Sequence, residues 1–359
     1  MMSNPGPTGR RASVVGCGLI GGSVALALKA RGWTVSGRDS DESAEARALA
    51  DGVVDRLGVD PDAEIVFVCT PADSVPAAVE DALDAAPGAV VTDVAGVKSA
   101  IASRVVDERF VPGHPMAGSE QSGLSGADAT LFEGAVWVLC PGEKTSDAAL
   151  MAVREVVRSL GADVVTLSPE DHDRLVAVVS HVPHLVAAAL ARLAGDFAAD
   201  HRAVLRLAAG GFRDMTRVAA GDPRIWPDVC VRNADAISDV LDRLVDELRS
   251  VGSDVRRGDR SAILRRLHAA REVRRNLPDR ATHPEELVEV RVPVEDRPGT
   301  LAELTRLAGE LGLNIADIEI AHSSEGRGVV ILLVEAAGAD AYTERLREAG
   351  WHPATEPLA

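Results

Sequence analysis

Aromatic side chains are scarce: Phe, Trp and Tyr make up 3% of the 359 residues, with one tyrosine and four tryptophans. A core must therefore be built from Val, Leu, Ala and Ile, and each tryptophan merits inspection. Cysteine is limited to Cys17, Cys69, Cys140 and Cys230, far apart and without a CxxC pair. That spacing argues against a zinc cage or a disulfide framework, so no metal site is expected and the thiols read as reduced and buried. Basic residues are outnumbered, 38 Lys+Arg against 55 Asp+Glu, for a net charge of −17 and no basic cluster. Such a field repels nucleic-acid phosphates and anionic lipid, which removes nucleic acid and membrane from the expected partners. Long hydrophobic runs are missing too. Stretches such as Leu185–Leu190 fall short of the ~20 residues of a membrane span, and the first ten residues hold Pro, Gly and Arg rather than an apolar signal core, so a soluble, cytoplasmic chain is expected.

The length suits two or three domains at about 150 residues each. From Arg11 to Ser168, β-branched runs (Ala12–Val15, Trp33–Val35, Glu64–Cys69, Ala89–Asp93, Gly134–Leu139, Ala162–Leu167) alternate with Ala/Leu-rich stretches. The alternation predicts βαβ units on a parallel sheet, an α/β dinucleotide-binding domain over residues 1–168. From Glu170 the apolar period becomes helical (Glu170–Phe197, His201–Ala209, Asp228–Val251), broken at Gly210-Gly211 and Gly221-Asp222-Pro223. An all-helical domain over 169–283 is expected, pairing with a second copy as a homodimer. Its end, Ser253–His283, reads as a solvated helix and linker. Strand, helix, strand, strand and helix then follow from Leu287, the ferredoxin-like βαββα order with room for a last strand, over 287–359.

Gly16-Cys17-Gly18-Leu19-Ile20-Gly21 fits G-x-G-x-x-G between a predicted strand and helix. Gly16 permits a tight turn, Gly18 lets the backbone approach a pyrophosphate, and Gly21 lets helix and strand pack, with Leu19 and Ile20 completing the loop. Asp39, 23 residues after Gly16, suits ribose hydroxyls. Its carboxylate favours NAD over NADP, although Arg38 beside it is a candidate partner for a 2′-phosphate. Hydride transfer is then the default chemistry. Two loops, Thr92–Lys98 and Gly113–Glu120, fall where strands of this domain end. His114 in the second is poised to take a proton from a hydroxyl as hydride leaves the same carbon.

The Gly16 loop, Asp93–Lys98, His114-Pro115-Met116-Ala117-Gly118, Ser180-His181-Val182-Pro183-His184 and Gly211-Phe212-Arg213-Asp214-Met215-Thr216-Arg217 together resemble the prephenate/arogenate dehydrogenase family over nearly the whole chain. The resemblance implies NAD-dependent oxidative decarboxylation of a cyclohexadiene dicarboxylate: hydride leaves the hydroxyl-bearing ring carbon, carbon dioxide leaves the opposite carbon, and the ring aromatises. It implies His114 as hydrogen-bond acceptor for the ring hydroxyl and Arg217 as the cation for a substrate carboxylate, a job suited to a guanidinium fork. Asp173 resembles the family's ionic partner of that arginine. Ser180 and His184, four apart, are implied near the substrate side chain and nicotinamide. Lys98, Asp214 and Glu120 support the site, and Trp226 resembles a tryptophan that reaches the neighbouring subunit's site. His181 receives no role.

One position departs from the family pattern D-x-x-S-x-K: Gly96 stands where a serine contacts the ring oxygen. Prephenate is the first expected substrate. An amino group on the ring carbon, as in 4-amino-4-deoxyprephenate on the way to p-aminophenylalanine, fits the missing donor and is the alternative, with arogenate behind both. A cofactor-competent but inactive regulatory protein is a further reading that Gly96 allows. A hydroxyacid reductase would call for a lysine on the helical domain, and the last lysine is Lys144. Val294–Leu301 followed by Gly312-Leu313-Asn314-Ile315 looks like an ACT signature, which implies an amino-acid effector such as tyrosine, or a fold kept for dimer stability alone.

Overall fold

The β-branched run Arg11–Val15 (β1) lies at the centre of a six-stranded parallel sheet in the computed structural model, which describes residues 9–118, 121, 123–201, 203–276, 287–295, 297–322 and 327–357. Thr34–Arg38 (β2) and Arg56–Leu57 (β3) extend the sheet on one side, and Ile65–Val68 (β4), Val90–Asp93 (β5) and Phe110–Val111 (β6) on the other, in the order β3-β2-β1-β4-β5-β6. The winding reverses between β1 and β4, which opens a crevice at their carboxyl ends. β4 is buried at all four residues, the pattern of a strand covered on both faces. One face packs on Val24, Leu28, Phe132 and Trp137, the other on Val79, Leu83, Ile101 and Phe110. The aliphatic core follows from the shortage of aromatics.

Two expected strands lie elsewhere than predicted. Val136–Leu139 (β8) and Asp163–Thr166 (β9) do not extend the parallel sheet; with Gly113–Pro115 (β7) they form a separate three-stranded sheet, β7 antiparallel to β8 and β8 parallel to β9. Pro112 separates β6 from β7, and a residue without an amide hydrogen interrupts a ladder at that point. His114 therefore sits on a strand opposite Val138, not in a loop.

Ser168 caps the next helix by accepting from Asp171 N at 3.0 Å, with Pro169 in its first turn. Helix runs through Pro169–Val176, a π-helical stretch Ala177–His181, and Val182–Asp200. The wide turn was not predicted by periodicity. This 32-residue run has a mean hydropathy of 1.6 in its most apolar window, of which 28% is buried, and by length and composition alone it is long and apolar enough to cross a membrane, a test that the core helix of a soluble protein also passes. Its uninterrupted apolar stretch, Leu185–Ala191 between His184 and Arg192, stays short as expected, and the alanines among the leucines raise the mean over the longer window. Shorter helices follow at Ala203–Arg206, Gly210–Thr216 and Trp226–Arg232, then Ala234–Arg257. Gly210-Gly211 starts a helix rather than breaking one. Leu193, Phe197 and Val231 are exposed on these helices, and Leu207 just past one of them, at 52%, 58%, 77% and 79%.

The chain divides into two compact units, Met1–Ser250 and Val251–Ala359. In the second, Arg260–Arg275 is a helix whose start is capped by Asp259. Leu287–Glu295 (β10), Ile315–His322 (β11), Arg327–Glu335 (β12) and Ala354–Pro357 (β13) form an antiparallel sheet in the order β11-β12-β10-β13, with helices Thr300–Glu310 and Ala336–Glu348 between strands. This is the ferredoxin-like βαββαβ order, complete with the last strand. Val290, Leu304, Leu307, Leu332 and Tyr342 fill its core.

Candidate functional site

The glycine loop leaves β1 at the crevice. Gly16 has φ 98°, and a Cβ there would lie 2.5 Å from the Cys69 carbonyl oxygen at the end of β4. At Gly21 a Cβ would meet the Gly16 carbonyl oxygen at 1.8 Å, whereas at Gly18 it would meet nothing within 4 Å. Two glycines thus serve packing and one faces open space. The helix Leu19–Lys29 starts at Gly18 with no side-chain cap, leaving its first amides available to an anion. Asp39, just past β2, accepts from Cys17 N at 2.7 Å and Asp41 N at 2.9 Å, which ties its carboxylate to the loop. Thr70 Oγ1, next to Cys69, is buried without a hydrogen-bond partner. An open glycine, uncapped amides, a fixed carboxylate and an unpaired hydroxyl at one crevice fit a dinucleotide. Gly21→Ala is expected to cost about 1–3 kcal/mol through overpacking, read as a lower denaturant midpoint; an unchanged midpoint would refute the contact.

Two strands away, Asp93 and Lys98 are both fully buried and joined by an ion pair. Asp93 also accepts from Ala95 N at 2.9 Å and Gly113 N at 3.1 Å, and Lys98 Nζ donates to the Gly113 carbonyl at 2.7 Å. Lys98 thus supports the strand that carries His114 and spends its charge inside the protein. Gly113 has no room for a side chain, since a Cβ would sit 2.9 Å from both Asp93 O and Thr92 Oγ1.

His114 is partly buried. Its Nδ1 lies 2.9 Å from His172 Nε2, and His172 Nδ1 lies 2.8 Å from Asp173 Oδ1. Asp173 Oδ1 also accepts from Lys98 N at 2.8 Å, and Oδ2 from Ser99 N at 2.9 Å. The expected Asp173–Arg217 pairing is thereby corrected: this carboxylate is turned onto the Lys98 turn and His172. Burial alone would raise its pKa, but the hydrogen bonds from His172, Ser99 and Lys98 outweigh burial and hold it below the usual carboxylate range. Burial, with His172, Lys98 and His181 nearby, keeps His114 well below its ordinary value. A Cβ on Gly96 would lie 3.7 Å from His114 Cε1 and Nε2, ordinary contact, so the missing serine leaves space over the unbonded edge of the imidazole.

His181, without an expected role, is a joint. Asn233 Nδ2 donates to the Asp173 carbonyl at 2.7 Å and lies 3.2 Å from His181 Nδ1. Burial lowers its pKa to about 4. His184 stacks on Trp226, centroids 3.6 Å apart at 16°. Trp226 opens the helix Trp226–Arg232. Ser180 lies in the π-helical stretch, so it and His184 are not on one regular helical face. Gly210–Thr216, with Asp214, and the Arg217–Ala220 turn pack on the Val182–Asp200 helix; both Asp214 and Arg217 are exposed. Glu120 lies outside the described residues. Among the described residues no group of His, Cys, Asp and Glu has the arrangement of a metal site.

Residues 24–166 match the prephenate dehydrogenase nucleotide-binding domain, and residues 168–269 the prephenate dehydrogenase dimerization domain. The prephenate dehydrogenase of Bacillus subtilis is 35% identical over 87% of this chain and 88% of its own. The chain belongs to the prephenate dehydrogenase family. Among solved structures, the arogenate dehydrogenase of Synechocystis is 34% identical over 74% of this chain and 98% of its own, with a TM-score of 0.64. The prephenate dehydrogenase of A. aeolicus, solved with hydroxyphenyl propionate and NAD+, is 27% identical over 75% of this chain and 98% of its own, TM-score 0.69. Sequence reasoning missed His172 and Asn233, which hydrogen-bond His114, Asp173 and His181. A lone histidine inside a helical pattern carries no local signal, although its place directly before Asp173 was visible.

Proposed function

We propose that this member of the prephenate dehydrogenase family is an NAD-dependent enzyme converting prephenate to 4-hydroxyphenylpyruvate and carbon dioxide. The observation that carries the reading is the imidazole edge of His114, open over Gly96 at the carboxyl end of the sheet that holds the glycine loop. Gly16, Gly18, Leu19, Ile20, Gly21 and Asp39 would hold NAD, and NAD supplies the hydride acceptor when bound. His114 Nε2 accepts the ring hydroxyl hydrogen as hydride leaves the carbon that bears it. The proton returns to oxygen as carbon dioxide departs and the ring aromatises, so no net proton is released. Arg217 takes a substrate carboxylate, and Ser180, His184 and Trp226 shape the wall near the substrate side chain. NADH formation at 340 nm with prephenate tests the reading; no turnover with any cyclohexadiene dicarboxylate would leave a cofactor-binding protein instead.

A second reading is favoured by Gly96 alone: 4-amino-4-deoxyprephenate as substrate, its amine facing the space where relatives' serine would donate. A serine Cβ fits at 3.7 Å from His114, so the swap is sterically clean. Gly96→Ser is expected to move the kcat/KM ratio toward prephenate by about tenfold. An unchanged ratio across prephenate, arogenate and the amino analogue would show that this position does not choose the substrate.

The exposed Leu193, Phe197, Leu207 and Val231 fit the family's dimerization domain, and we assign them to the contact of a cytoplasmic homodimer rather than to a membrane. Residues 1–168 then serve the nucleotide, 169–283 the substrate and the second subunit, and 287–359 regulation. The ferredoxin-like module and its Gly299 turn at φ 93° support an ACT-type amino-acid site. Titration of the full chain with tyrosine tests that site; no change in kinetics would leave the module structural.

A further inference from the structure

His172 touches neither the glycine loop nor the space over Gly96, yet both of its ring nitrogens are engaged: Nδ1 at 2.8 Å from Asp173 Oδ1 and Nε2 at 2.9 Å from His114 Nδ1. The chain of bonds has a direction. An ionised carboxylate only accepts, so the hydrogen between Asp173 and His172 belongs to His172 Nδ1. A neutral imidazole carries one ring hydrogen, which leaves His172 Nε2 bare and able only to accept. The hydrogen of the next bond then belongs to His114 Nδ1. With its one hydrogen placed there, His114 has a bare Nε2, the atom that faces the space over Gly96.

We propose that His172 is a positioning residue that locks His114 in the tautomer whose Nε2 accepts, with Asp173 locking His172 in turn. The proposal rests on His114 being the acceptor of the preceding section. Geometry supports the lock at each link. His172 is fully buried and cannot exchange its partner for water. Asp173 is held from the other side by the amides of Lys98 and Ser99, and Asn233 grips its carbonyl at 2.7 Å. Among the described residues, the charged and titratable groups facing His114 are Lys98, His172, His181 and Asp173. Lys98 and His181 are themselves engaged by Gly113 and by Asn233, so neither competes for His114 Nδ1. When His114 bears the hydroxyl proton, the imidazolium charge has a hydrogen-bonded path through His172 to Asp173, away from the space over Gly96.

The test uses two variants of the full chain. In His172→Gln the amide oxygen reaches about where Nε2 stood and still accepts from His114; in His172→Leu nothing accepts. Two-bond proton–nitrogen NMR of the histidine rings, with His114 assigned by its loss in His114→Asn, reads the tautomer without substrate. Wild type and His172→Gln are expected to carry the His114 hydrogen on Nδ1, and His172→Leu to lose that form. The Leu variant's kcat should fall about 100-fold with KM and nucleotide affinity within about threefold, while the Gln variant stays within about tenfold of wild type. A wild-type His114 protonated on Nε2, as a cationic His172 would impose, overturns the proposal, and so does a Leu variant that keeps both tautomer and kcat. Should His172→Leu not fold, the wild-type spectrum decides by itself. Absence of wild-type turnover would count against the proposed reaction and leave the tautomer result standing.

Discussion

His114→Asn is expected to lower kcat by about 10²–10⁴ while nucleotide affinity stays unchanged, the signature of a lost proton acceptor. Asn can still bond His172 but has no basic nitrogen to offer over Gly96. The glycine loop and Asp39 lie on β1 and β2, outside the His114 contacts, so dinucleotide binding has no reason to change. Steady-state kinetics with nucleotide titration by fluorescence makes the comparison; an unchanged kcat would remove His114 from the reaction. The same group sets a pH dependence. Only neutral imidazole accepts, and burial holds the His114 pKa well below its ordinary 6.5. The kcat/KM profile should therefore stay flat as pH falls through 6.5 and drop only below it; a limb centred at or above 6.5 would contradict the buried site. Stability follows the neighbouring His181, whose pKa is about 4 when folded. The unfolded chain binds that proton more readily, so stability is lost as pH falls from 6.5 toward 4.

Lys98→Met should destabilise the protein by about 3–5 kcal/mol, because removing one partner leaves the other charge buried and uncompensated. Asp93 and Lys98 are both fully buried, and the two backbone amides left to Asp93 do not supply a counter-charge. The loss also frees the Gly113 carbonyl beside His114, so kcat should fall with stability. Denaturant titration reads the first effect. A second substitution, Asp93→Asn, removes the unpaired charge and should recover part of the loss. If Lys98→Met unfolds at the wild-type midpoint, the pair contributes nothing and the account of this turn is wrong.

The parts legible in the sequence are those governed by local backbone chemistry. Gly16, Gly18 and Gly21 could be given separate roles because a tight turn, a ligand approach and a helix–strand contact each leave no choice but glycine, and the structure distinguishes the three by what a Cβ would meet. The βαββα order was legible from the change of period near Leu287. His172 and Asn233 were not, since their meaning depends on partners 58 and 60 residues away. Asp173 was visible as an important acid but given the wrong partner, because a resemblance names a residue without saying which way its carboxylate turns. Strands β8 and β9 have the composition of sheet members, which does not say which sheet they join; β8 pairs with β7, past the interruption at Pro112. The π-helical Ala177–His181 leaves no mark in apolar spacing, and its last residue, His181, is met by Asn233, 52 residues away.

The chain has three lysines, Lys29, Lys98 and Lys144. Lys29 is bridged to Asp55 at 2.8 Å, Lys144 is exposed, and Lys98 is sealed from solvent. An acylating reagent applied to the native protein would mark Lys144 readily, Lys29 more slowly and Lys98 only when the molecule opens. Mass-spectrometric counting of acyl groups on the peptide that contains Lys98 therefore gives a clock for global opening, already built into the chain and needing no introduced probe.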